Sequence, residues 1–140
     1  MKYDQSFCKA VGEYGCYALC IINIAEEHKG LHYNILKTIE EGIRQGLIEW
    51  NEDNYAHKDN LYVKDAAAFL GMITGEKWSL RHEYSDITYK PKEGEYVVER
   101  WERNGFAHFA RTQKGYNSLQ DSKCVALGTL ASLRIFKKER

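Results

Sequence analysis

The chain has 140 residues, with 20 Lys+Arg balanced by 20 Asp+Glu, so its formal net charge is zero. That balance argues against a mainly electrostatic partner such as nucleic acid or an anionic membrane. At 44% apolar and 29% charged residues the composition is that of an ordinary globular protein, and the length suits a single domain, 1–140, with a real core.

The start, Met1-Lys2-Tyr3-Asp4-Gln5-Ser6, carries no apolar run before a small-residue cleavage site, and the longest apolar stretch, 18–22, is far too short to span a bilayer. A cytoplasmic location is expected. The four cysteines, Cys8, Cys16, Cys20 and Cys124, form no Cys-x2-Cys pair, and the five histidines are scattered. Neither a disulfide framework nor a metal site is expected from that spacing, and no cofactor is implied.

In chain order, the apolar spacing predicts a first helix over 15–28, with Cys16, Leu19, Cys20, Asn23 and Ile24 on one stripe and Gly30 as its stop. A second helix is predicted over 33–45, with Ile35, Leu36, Ile39 and Ile43 inward, Lys37, Glu40, Glu41 and Arg44 outward, and Gly46 beyond its end. Leu47-Ile48-Glu49-Trp50 leads into a polar loop, and a third short helix is predicted over 63–70, ended by Gly71. Strands follow: 77–84, 96–103, 106–113, 116–121 and 132–137. Asn104-Gly105 joins the second to the third by a two-residue turn that needs positive φ at both positions. Lys114-Gly115 is expected to be a second such turn.

Register then becomes chemistry. Counting outward from Asn104-Gly105 places Trp101 opposite His108. Counting from Lys114-Gly115 places Asp121 opposite His108 and Asn117 opposite Thr112. Directly opposed residues share a face, with Cβ atoms roughly 5 Å apart. A carboxylate at that distance can orient an imidazole and fix its tautomer. Asn117 stands on the same predicted face and is an alternative third member, because an amide can also orient imidazole.

On the thiol side, Gly15-Cys16 opens the first predicted helix. A thiol there meets the positive end of the helix dipole, which favours thiolate. The Cys16 N–H is one oxyanion donor, since the first helical N–H groups lack internal partners. Gln5, the only glutamine before Cys16, is a candidate second donor. Cys20 is expected in the core, Cys8 and Cys124 are expected to be structural, and His28, His32, His57 and His82 are expected to be solvated.

Gln5, then Gly15-Cys16 opening a helix, His108-Phe109 on a strand, Asp121-Ser122, and a closing Gly128-x3-Ser132-Leu133-Arg134-Ile135-Phe136-Lys137 resemble the papain-like cysteine peptidase superfamily. Within it the chain is most similar to small bacteriocin-leader-peptidase-like and NlpC-like domains. The segment 41–48 also resembles uncharacterised prophage and spirochaete plasmid-encoded relatives. Asp121 is followed by Ser where those families show Pro, and Gln5 lies further upstream of Cys16 than is usual. The resemblance implies an α+β, papain-like fold, with N-terminal helices packed on a C-terminal antiparallel sheet. It implies thiol-dependent hydrolysis of a peptide or amide bond by Cys16, His108 and Asp121, with a peptide or protein as substrate. The alternatives are a catalytically inactive module of the same fold that binds a peptide or protein, acyl transfer by the same residues, and a metal site on Cys16, Cys20 and His108. Oligomeric state and substrate identity leave no readable pattern.

Overall fold

The computed structural model describes residues 5–51, 60–115 and 119–140; within these, the side chains of residues 5, 6, 51, 60 and 119 are not described. The class is α+β: helices with antiparallel sheets. The chain divides into two compact units, Met1–Glu76 and Lys77–Arg140. No helix among the described residues is long and apolar enough to cross a membrane.

In the first unit, helix α1 (Gln5–Tyr14) runs into α2 (Cys16–Lys29) with only Gly15 between them. The predicted helix over 15–28 is α2, and Gly30 closes it in the left-handed conformation, its N–H donating to the Glu26 carbonyl at 2.8 Å. Helix α1 was not expected. Its apolar residues Phe7, Ala10 and Val11 are buried at helical spacing.

Helix α3 (Ile35–Arg44) starts at an Asn34 cap, whose side chain accepts from the Lys37 N–H. Two of its predicted positions are reversed: Glu40 is buried and Ile35 is 43% exposed. Glu40 tolerates burial because Arg44 donates to its carboxylate at 2.9 Å.

Strands β1 (Ile48–Asn51) and β2 (Asn60–Val63) form an antiparallel pair, Ile48 opposite Val63. The helix predicted over 63–70 is α4 (Ala66–Thr74), begun by an Asp65 cap. Val63 therefore belongs to a strand, and Gly71 lies inside the helix rather than ending it. A Cβ at Gly71 would stand 2.9 Å from the Glu76 carbonyl oxygen, so that glycine serves a close approach, and Gly75 supplies the left-handed stop. Ile21 and Ile24 of α2, Ile39 of α3, and Phe69 and Leu70 of α4 have no measurable exposure and form the core of this unit.

In the second unit, β3 (Trp78–Glu83), β4 (Glu95–Arg103), β5 (Phe106–Ala110) and β6 (Thr129–Lys138) form one antiparallel sheet in the order β3-β6-β4-β5. The β4–β5 hairpin is as predicted: Asn104 and Gly105 both have positive φ, and Trp101 stands opposite His108.

The second predicted hairpin does not form. Strand β5 stops at Ala110, a short 3-10 turn occupies Thr112–Lys114, and helix α5 (Leu119–Leu127) follows. Asp121 is therefore helical, and of the strand predicted over 116–121 the described part, 119–121, is overturned together with the pairing of Asp121 to β5; residues 116–118 lie outside the described residues. Gln120, Lys123, Ala126 and Leu127 favour helix, and the alternation that suggested a strand was too short to outweigh them. Helix α5 packs on β4, β5 and β6. Its end comes so close to the sheet that a Cβ at Gly128 would stand 3.0 Å from the Glu102 carbonyl oxygen. Val97, Leu133 and Ile135 form the buried cluster of this unit, with Tyr89 and Leu130 packed against it.

Candidate active site

Strand alternation places Val97, Glu99 and Trp101 of β4 on one face of the sheet, with Ala110 and His108 of β5 opposite Glu99 and Trp101. The same face carries Leu133 and Ile135 of β6. Helix α5 supplies the other half of the pair: Asp121 Oδ1 lies 2.5 Å from His108 Nε2. Asp121 is buried, its side chain 6% exposed, and the His108 side chain is 19% exposed. The expected relation between these two residues holds, although a helix rather than a strand delivers the carboxylate.

A carboxylate on Nε2 favours the tautomer with the proton on that nitrogen. Asp121 sits in the first turn of α5, where the helix dipole favours negative charge.

Cys16 is the first residue of α2, which is 14 residues long and has no acidic side chain in its first turn. Cys16 is partly exposed, whereas Cys20 and Cys124 are buried and Cys8 is exposed, and none of the four forms a disulfide. Gly15 earns its place sterically: a Cβ there would stand 2.4 Å from the Val11 carbonyl oxygen. Cys16 belongs to the first unit and the His108–Asp121 pair to the second.

Gln5 is the first residue of α1, and its side chain lies outside the described residues. So does Asn117, the alternative third member, and so does His57. His28 is not solvated as expected; it is half-buried and its Nε2 lies 2.8 Å from Glu76 Oε2. His32 is exposed beside Glu26. His82 is exposed as a residue, yet partial burial, with the nearby Arg134 charge, holds its pKa below the usual 6.5. Among the described residues, no three His, Cys, Asp or Glu side chains converge as a metal-binding group.

Glu99 was missed by sequence reasoning. It is buried, and its Oε1 accepts hydrogen bonds from Trp101 Nε1 at 3.0 Å, Thr112 N at 3.2 Å and Thr112 Oγ1 at 2.6 Å. The signal was available: Glu99 falls between Val97 and Trp101 on the inward face of the best-patterned strand. A charge at an inward position has to be held by donors.

Compared with known proteins, the chain matches no family model, no curated protein and no solved structure.

Proposed function

We propose that the chain is a thiol-dependent hydrolase of papain-like type that cleaves a peptide or amide bond. Cys16 is the nucleophile, His108 the acid–base group and Asp121 the residue that orients it. The observation that carries the reading is the His108 Nε2–Asp121 Oδ1 contact of 2.5 Å, formed by the two residues that the sequence pattern singles out as partners. A partly exposed thiol at the first position of a long helix supports it further.

The thiolate attacks the carbonyl carbon, and the Cys16 N–H with Gln5 stabilises the oxyanion. His108 then protonates the leaving amine, and water, deprotonated by His108, releases the acyl group from sulfur. The substrate is a polypeptide, in keeping with a chain whose formal net charge is zero, and the site of action is cytoplasmic.

Alkylation tests the reading. Iodoacetamide at neutral pH should modify Cys16 faster than the exposed Cys8. Changing His108 to Ala should return Cys16 to ordinary behaviour, and dibromoacetone, a short bifunctional alkylator, should link Cys16 to His108. A Cys16 no more reactive than Cys8, with no cross-link, would sink the hydrolase and leave the peptide-binding module.

A further inference from the structure

We infer that Glu99 is the positioning residue of the His108–Asp121 pair, holding from inside the sheet both the strand beside His108 and the return segment that brings Asp121 over it. The functional meaning of this rests on the reading of His108 as the acid–base group.

Glu99 is 6% exposed, and among the described residues no cation pairs with it. A buried carboxylate without a counter-ion must be held by hydrogen-bond donors. Its donors come from two segments that matter to the pair. One is the indole N–H of Trp101, 3.0 Å from Oε1, on the residue directly opposite His108. The other is Thr112, whose N–H reaches Oε1 at 3.2 Å and whose hydroxyl lies 2.6 and 2.7 Å from the two oxygens.

Thr112 is where β5 gives way to the 3-10 turn. The next described element after that turn is α5, which carries Asp121. The turn thus begins at a point fixed on β4, next to the strand that carries His108. The residue type fits the task. A carboxylate only accepts, so it can take three converging donors; a glutamine would turn its amide N–H2 toward one of them, and an apolar side chain would leave all three unpaired. An apolar residue between Val97 and Trp101 would be the simpler choice for stability alone.

Histidine NMR on the full-length protein tests this, with Glu99→Ala and Thr112→Val compared against Val97→Ala. Val97 is a buried neighbour on the same strand face whose truncation weakens the core without touching the network. The readouts are the imidazole Nε2 proton of His108, which a carboxylate partner protects from exchange, and the midpoint of the His108 titration. Glu99→Ala and Thr112→Val should lose the Nε2 resonance and lower the midpoint, while Val97→Ala lowers the melting temperature and keeps both. Glu99→Gln, which retains an acceptor, should recover part of the signal. Should Glu99→Ala fail to fold, Thr112→Val decides alone. An unchanged His108 resonance and midpoint in the variants that fold would overturn the proposal. These signals report the imidazole–carboxylate pair, not the thiol, so a failed alkylation test leaves this result to be read separately.

Discussion

His108 and Asp121 are thirteen residues apart and come from different kinds of element, yet Nε2 and Oδ1 lie 2.5 Å from each other. The strand fixes the imidazole through its place opposite Trp101, and the helix delivers the carboxylate from its first turn. Neither residue faces the other through a shared ladder.

That pairing makes Asp121 the more sensitive of the two to truncation. Its side chain is 6% exposed, so Asp121→Ala removes a buried charged acceptor and leaves a half-buried imidazole short of one bond. The expected loss is about 1–3 kcal/mol in urea unfolding. Asp121→Asn keeps the shape and one acceptor and should lose less. In both, the alkylation rate at Cys16 should drop, more in Ala than in Asn. A Cys16 rate identical to that of the unaltered protein in Asp121→Ala would separate the carboxylate from any role at the thiol.

The two glycines near the α1–α2 junction should respond in opposite directions. A Cβ on Gly15 would stand 2.4 Å from the Val11 carbonyl oxygen, whereas one on Gly12 would meet nothing within 4 Å. Gly12 lies inside α1 with helical backbone. Gly12→Ala should therefore stabilise by about 0.5–1 kcal/mol through the unfolded chain and helix propensity. Gly15→Ala forces the helices apart and should destabilise by about 1–3 kcal/mol. Thermal melts of the two variants check the contrast, and a stable Gly15→Ala protein would mean that the junction is softer than its geometry.

How far the sequence could be read follows from how local each signal is. Asn104-Gly105 set the β4–β5 turn and the Trp101–His108 register because a two-residue turn with positive φ leaves few alternatives. Gly30 ended α2 for the same local reason. Lys114-Gly115 looked equivalent but was not: Glu99 draws Thr112 into a 3-10 turn, and that interaction comes from a residue on the neighbouring strand. Asp121 was found beside His108 for a reason that the structure replaces. Distance in sequence allowed the meeting, and helix packing rather than strand register brings it about. Gly71 misled because a glycine in a helix suggests an end, and the Glu76 carbonyl that explains it lies beyond that helix. Charge alone points Glu40 outward, and the bond from Arg44 is what lets it turn in.

Acid should weaken one specific loop contact in the second unit. The Tyr89 hydroxyl donates to Glu95 Oε1 at 2.5 Å, and the Lys92 N–H donates to the same oxygen at 2.9 Å. These bonds, the tyrosine's first, hold the Glu95 carboxyl below its usual value of 4.5. A depressed folded-state pKa stabilises fully above the unfolded value and ceases to do so as pH falls through the folded one. Tyr89→Phe removes the larger cause. The stability difference between the two proteins should be constant near neutral pH and shrink below about pH 4. Urea midpoints across that range test it, and a difference that grows in acid would contradict the direction.

The last prediction concerns Gly42, where α3 meets α4 and β1 in the first unit. A Cβ there would stand 2.8 Å from Phe69 Cε1 and 2.9 Å from Ile48 Cδ1. Phe69 has no measurable exposure, so its ring has nowhere to withdraw. Gly42→Ala should cost about 1–3 kcal/mol despite the better helix propensity of alanine, because overpacking outweighs propensity at a closed site. Phe69→Leu should also destabilise, through lost ring contacts and a residual void. Combined, the two should cost less than their sum, since the smaller Leu vacates the volume that the added methyl needs. A double-mutant cycle by urea unfolding measures the difference, and a coupling of about 0.5 kcal/mol or more in the compensating sense is expected for residues in direct contact. Strict additivity would mean that α3 shifts bodily to admit the methyl, and that Phe69 does not set its closest approach.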